Sequence, residues 1–420
     1  MEKPNEVLMR EALGKRNCRD PEAESHQFRA DEGENKEVLA RLAREEAFWD
    51  DLEQSYGSRP VRRDTEHAET KASWRKMDLA TASQKAAAAA AAAAAWSEDE
   101  EDDDDPDREA LRFRKRWNYI WSEHFGSFED TTLIPPMRFT DEPPVERLYP
   151  STTLQIFSAK VAGIGGGFQW PLDVFGLVAI RDSVDENRNI IFQRSRDECQ
   201  TITGEDPYLE LTGPTRAVVL WDPLTIEVYL KVKGPSELED KTLCFLAKEI
   251  MCSTRVNSCL LHRTWTSKCS TMEFTLGHID SSVEATISVR VVDGSWPDGF
   301  HGQFVACLVS THWIDEVPAF YSSTSVDGKE IVLLSFGDEK VPAVVDGVIE
   351  LSRRVVSVET TSKLKVSVNA WQDDNNVVES WEEFSAKERG RSFGTLDIGF
   401  CKMDVIVGWS LVTSYREPRR

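Results

Sequence analysis

At 420 residues with 40% hydrophobic side chains, the chain can bury a sizeable core, and its uneven composition predicts one large folded region with a tail. Acidic side chains outnumber basic ones 73 to 50, a formal net charge of -23, so attraction to phosphate backbones or an anionic membrane is disfavoured and nucleic acid is an unfavoured partner. The 8 cysteines form no C-x-x-C pair, which excludes a spelled-out zinc site or disulfide framework and predicts buried thiols in a reducing compartment.

The opening MEKPNEVLMREALGKRN lacks the apolar core of a signal peptide, and no run approaches the roughly 18 apolar residues of a membrane span. A soluble intracellular protein, cytoplasmic or nuclear, is expected. Residues 1–105 are rich in Glu, Arg, Lys and Ala and poor in β-branched residues, which suits a disordered, partly helical arm rather than sheet. Within it Leu42, Trp49, Leu52 and Tyr56 recur at helical spacing, and Gly57 and Pro60 end that pattern. The alanine run 86–95 and the acidic run 98–105 read as low-complexity linker. Alanines without a docking face make only a marginal helix, and acids at its C-terminal end oppose the macrodipole.

Asp105, Pro106 and Asp107 spell a helix start: a capping residue, a proline in the first turn and an acid beside it. Ala110, Phe113, Trp117 and Phe125 then share one face. The basic cluster Arg112, Arg114, Lys115 and Arg116 reads as the wet side of that helix rather than as a nuclear address. Gly126 ends it, and Pro135, Pro136, Pro143, Pro144 and Pro150 carry extended chain into the first strand, so 106–150 is helix and lead-in.

From 151 to 415 the apolar period becomes two. Ile226, Val228, Leu230 and Val232 alternate with Glu227, Tyr229 and Lys231; Val283 to Val291 and Leu364 to Ala370 repeat the pattern, as do Leu396, Ile398 and Phe400. Turns at Asp293-Gly294, Asp298-Gly299, Asp327-Gly328 and Asp346-Gly347 separate further apolar runs. The prediction is a mostly β protein, an antiparallel β-sandwich or barrel-like domain. Two segments, 239–251 and 377–389, read as short helices. Whether the region is one sub-domain or two, breaking near 235–275, is open at this level.

The candidate chemistry concentrates between Leu154 and Gly234. Gly163, Gly165, Gly166 and Gly167 follow a strand, but Phe168 occupies the sixth position of G-x-G-x-x-G and no helix opens after it, so a turn is expected rather than a phosphate loop. Asp182, Asp185, Asp197 and Asp222 are the oxygen-ligand candidates for calcium. The interspersed Arg181, Arg188, Arg194 and Arg196 predict ion pairs and turn caps instead. The seven histidines lack metal or triad spacing; His262 and His278 approach each other only if their strands pair. Trp170, Trp221, Trp265, Trp296, Trp313, Trp371 and Trp409 are expected to anchor the core rather than to serve as stacking platforms. No catalytic residue, metal ligand or cofactor is assigned.

Six stretches in order carry a resemblance: FGSFEDTTLIPPMRFTD (125–141), TTLQIFSAKVAGI (152–164), WPLDVFGLVAIRD (170–182), RNIIFQRSRDECQ (188–200), LTGPTRAVV (211–219) and DPLTIEVYLKVKG (222–234). Over about 108–415 the chain resembles a large family of grass proteins sharing a plant domain of unknown function. It is also similar to the C-terminal part of cereal jasmonate-induced ribosome-inactivating proteins. The resemblance implies no catalytic residue, since the glutamate, arginine and aromatic pair of the N-glycosidase are not recognisable here. The expected function is a non-enzymatic β-rich interaction module with an unidentified protein partner, tied to stress or defence. The alternatives are a calcium- or lipid-binding sandwich and an accessory domain related to rRNA N-glycosidases.

Overall fold

The computed structural model describes residues 105–412, apart from 145–147, 221–222, 252–256, 311–324, 338–346 and 373–376. The expectations for the arm lie outside the described residues, as do Trp221, Asp222 and Trp313. Helix α1 (Pro106–Phe125) begins where its start signal stands: the Asp105 side chain accepts from the Asp107 N–H, and Pro106 occupies the first turn. Among the described residues no helix is long and apolar enough to cross a membrane.

The chain is otherwise mostly β, in antiparallel sheets. The strands are β1 (Ser151–Ile164), β2 (Leu172–Arg181), β3 (Asn189–Arg194), β4 (Gln200–Ile202), β5 (Val218–Val219), β6 (Leu224–Val232), β7 (Lys241–Ile250) and β8 (Cys259–Thr266). There follow β9 (Ser270–Gly294), β10 (His301–Val309), β11 (Glu330–Phe336), β12 (Val348–Ile349), β13 (Val355–Glu359), β14 (Lys363–Trp371), β15 (Val378–Ser385), β16 (Gly390–Asp397) and β17 (Cys401–Ser410). A first sheet has the order β16-β17-β9-β1-β5, with β8, β12 and β13 also on β9. A second runs β3-β2-β6-β7, with β4 on β2, and a third runs β11-β10-β14-β15.

Two hydrophobic cores result, and the 25-residue strand β9 serves both. Its Met272, Phe274 and Leu276 join Val178, Ile226 and Val228 of the second sheet in one core. Its Ile279, Val283, Ala285, Ile287 and Val289 join Phe304, Leu364 and Val366 of the third sheet in the other. The changeover lies between Leu276 and Ile279, and just beyond it, at Asp280 and Ser281, the register against β1 shifts and Ser281 takes a φ of 42°. The division between the cores therefore falls inside one strand.

A second irregularity links the cores. Ile156 pairs with Leu276 and Ser158 with Thr275, so Phe157 is an extra residue in β1. Ile156 stays in the first core while Phe157 enters the second. The buried Arg353 closes over this bulge: its guanidinium donates to the carbonyls of Ile156, Phe157 and Gly213, and its own N–H donates to Leu333 O at 2.9 Å. Gln155 adds a further tie, accepting from the Ser357 N–H at 2.9 Å.

The two segments expected as helices are strands β7 and β15. Leu243, Leu246, Ala247 and Ile250 stand at helical spacing because the register between β6 and β7 shifts at Leu243, resetting the alternation. In β15 the helix-like trio Val377, Trp381 and Phe384 is split, Phe384 buried and Trp381 exposed. Strand pairing overrode the local period in both.

Candidate functional site

Of the aspartates and arginines singled out between 181 and 222, Asp182, Asp185, Arg181 and Arg188 converge, and Glu227 and Arg216 join them. Arg181 and Glu227 lie on the face of β2 and β6 that turns away from the core, since Ile180, Ile226 and Val228 point inward. That face is roofed by α1 and the loop after it. Trp117 donates to Glu186 O at 2.8 Å, and the Arg181 guanidinium lies 4.0 Å from the Phe128 ring centre and 4.9 Å from that of Trp117.

Glu227 sits between two guanidinium groups: Arg181 Nε donates to its Oε2 at 3.2 Å and Arg188 Nε at 3.1 Å, with Arg188 Nη2 on Oε1. Arg181 also donates to the carbonyls of Glu186 and Phe128. Arg216 is shared by two aspartates, with Nη1 at 2.8 Å and Nη2 at 2.7 Å from the oxygens of Asp182, and Nη2 at 3.0 Å from Asp185 Oδ1. Asp182 accepts in addition from the N–H groups of Val219 and Val184, and Asp185 from Thr132 Oγ1. All six charged side chains are buried.

Burial opposes charge here, and the partners decide the balance. Desolvation raises the Glu227 carboxyl, but Arg188 and Arg181 outweigh it and hold it below the usual carboxylate range. Desolvation lowers Arg181 to about 10 despite Glu227. Arg216, under the same desolvation, is held above its ordinary value by Asp182 and Asp185. Nearby Glu284, on β9, is pushed above its ordinary value by burial, although it accepts from the N–H groups of Ala217 and Met137 at 2.8 and 2.7 Å.

Opposite shifts give opposite pH dependence. The Glu227 contribution is fully present above 4.5, its ordinary value, and is lost as pH falls through the depressed folded value. The Glu284 contribution is fully present below 4.5 and is lost as pH rises through the raised folded value. Urea unfolding from acid to neutral pH should therefore show the penalty of Glu284→Gln shrinking as pH rises. A penalty that grows toward neutrality would contradict this placement of Glu284.

In the cluster every carboxylate oxygen accepts a hydrogen bond, and among the described residues no group of three or more His, Cys, Asp or Glu is arranged to hold a metal ion. Its pairing differs in detail from expectation. Arg181 and Arg188 take Glu227, Arg194 takes Glu210, Arg196 takes Asp240, and the aspartates take Arg216. Asp197 is exposed and stands apart, and Asp222 lies outside the described residues. Glu227 was legible only as a wet-face residue of a strand, and Arg216 only as part of LTGPTRAVV.

The glycine run is a turn: Gly165 N–H donates to Cys269 O, Phe168 N–H donates back to Gly165 O, and Gly166 and Gly167 have φ of 60° and 82°. His262 and His278 do lie on paired strands, but His262 faces Thr275 and is exposed while His278 faces Cys259 and is buried. They form no pair. Cys244, Cys259 and Cys401 are buried thiols, and burial pushes Cys244 up to about 12. Trp296 and Trp409 are core anchors as expected, whereas Trp381, hidden in a segment that reads as helix, is 52% exposed.

A family model described as a domain of unknown function, DUF6598, matches residues 153–407. No curated protein matches the chain. Among solved structures, human GIVD cytosolic phospholipase A2 in complex with methyl gamma-linolenyl fluorophosphonate is similar at 9% identity and a TM-score of 0.19, over 62% of this chain and 33% of that one. The pair of C2 domains of extended-synaptotagmin 2 is similar at 10% identity and a TM-score of 0.20, over 67% of this chain and 100% of that one. Likenesses of this size carry no argument about fold or function.

Proposed function

The chain belongs to the DUF6598 family, domains of unknown function, and we propose that its region 151–415 is a non-enzymatic interaction module, with 106–150 as helix and lead-in and 1–105 as an appended arm. One observation carries this reading. The acids and bases that converge are spent on one another inside the fold, where a reacting group would need a free partner and access to substrate. The face of such a module is its exposed sheet surface, and its partner a protein. The resemblance to grass proteins and to jasmonate-induced ribosome-inactivating proteins supports a soluble intracellular setting in plant stress or defence.

The calcium- or lipid-binding alternative rests on loop aspartates, and the occupied coordination of Asp182 weighs against it. Thermal denaturation of the full chain with and without millimolar calcium, and with anionic vesicles, is expected to give one melting temperature. Binding at 100 times the dissociation constant stabilises by about 2.7 kcal/mol, a readily measured shift. A calcium-dependent rise would replace the module reading by the metal reading.

A further inference from the structure

The outer face of the third sheet holds side chains that neither core nor ion pair uses. Phe304, Ala306 and Leu308 of β10 and Leu364, Val366 and Val368 of β14 point into the core, so their odd-numbered neighbours line the opposite face. The register runs straight across it. His301 faces Trp371, Gln303 faces Asn369, and Ser367 faces Trp381 on β15. The His301 and Trp371 rings stack 5.7 Å apart with 9° between their planes. Trp381 is 52% exposed, with Lys365 Nζ 5.1 Å from its ring centre. Between these two aromatic rows lie the half-buried Gln303 and Asn369, whose amides make no hydrogen bond among the described residues.

We propose that this face binds a neutral saccharide chain. The flat ring of an exposed tryptophan packs on the apolar C–H face of a pyranose, and two neighbouring amides offer the donors and acceptors that adjacent hydroxyls require. Trp371 stands four residues along β14 from Ser367, roughly 13 Å from the row of Trp381 at strand rise. That spacing suits several linked units rather than one small molecule.

Charge decides against the other polymer that stacks on tryptophan. Lys363 and Lys365 are paired with Glu383 and Glu379, so both lysines of β14 are already matched by acids rather than left for phosphate. The chain as a whole carries -23. The saccharide face goes beyond the interaction-module reading and does not rest on it.

Affinity electrophoresis of the full chain through gels containing starch, xylan, xyloglucan or mixed-linkage β-glucan tests the proposal, with titrations of polyuridylate and a proline-rich peptide alongside. Retardation by at least one neutral polysaccharide is expected. Trp381→Ala, and separately the pair Gln303→Ala with Asn369→Ala, should each weaken it at least tenfold at unchanged melting temperature, and Trp381→Tyr should keep most of it. Because Trp381 is exposed and the amides bond to no described residue, a folding defect in one variant leaves the other to decide. No retardation in any gel, retardation that both variants keep, or binding to polyuridylate or the peptide in place of polysaccharide would each overturn the assignment.

Discussion

Glu227→Ala should cost about 3–5 kcal/mol of unfolding free energy, because it strips the shared carboxylate from two buried guanidinium groups. Arg181 would keep its carbonyls at Glu186 and Phe128, but Arg188 would lose both of its bonds to Glu227. Glu227→Asp keeps the charge on a shorter arm and should fall between the wild type and Glu227→Ala. Urea denaturation at neutral pH reads the difference as a shifted midpoint at unchanged slope. A cost below about 1 kcal/mol for Glu227→Ala, the level of an exposed pair, would mean the cluster admits water and that its enclosure by Trp117 and Phe128 is wrong.

Arg353→Leu is the second large effect, and its signature is cooperativity as much as stability. The guanidinium satisfies carbonyls of Ile156, Phe157 and Gly213, and its own backbone N–H is tied to Leu333 of the third sheet. Truncation takes this donor from the Phe157 and Gly213 carbonyls, at ~1–3 kcal/mol each, while Ile156 O keeps the Gln155 amide. Part is offset because a buried cation without a carboxylate partner is removed; burial has already lowered its pKa to about 10. A net loss of ~2–4 kcal/mol is expected. Since Arg353 spans the two cores, calorimetry should show the single transition broaden or split, with the calorimetric enthalpy exceeding the van't Hoff value. A loss of stability with a single sharp transition would show that β9 alone couples the cores.

Alternation along the chain tracks burial in some strands and not in others. In β6, Ile226, Val228 and Leu230 are buried and alternate with residues of the other face, and the same holds for Leu364, Val366 and Val368 in β14. There the period of two reports burial directly. It failed at Leu243 and Phe157, because a single extra residue in a strand shifts the faces without any compositional mark. It failed in β15 because Trp381 lies on an outer face, where an apolar side chain imitates a core position. The ion cluster was legible as a class and not as pairs: the arginines predicted to neutralise aspartates were present, but Glu227 comes from β6 and Arg216 from the bend before β5, both distant in sequence.

By itself the sequence determined the helix start at Asp105, the β class of the region after 150 and the membership of a family through its ordered motifs. These are local or compositional properties: a cap is a few adjacent residues, and alternation is a repeat along one strand. Only the tertiary structure decided that one strand, β9, would build two cores, that Arg181, Arg188 and Glu227 would be buried beneath α1 and the loop after it, and that Trp371, Trp381 and two amides would meet on one face. The physical reason is common to all three. Each depends on which strands pair and in what register, a matter of contacts between residues far apart in the chain, and a one-residue shift in any register would have turned each of those side chains to the opposite face.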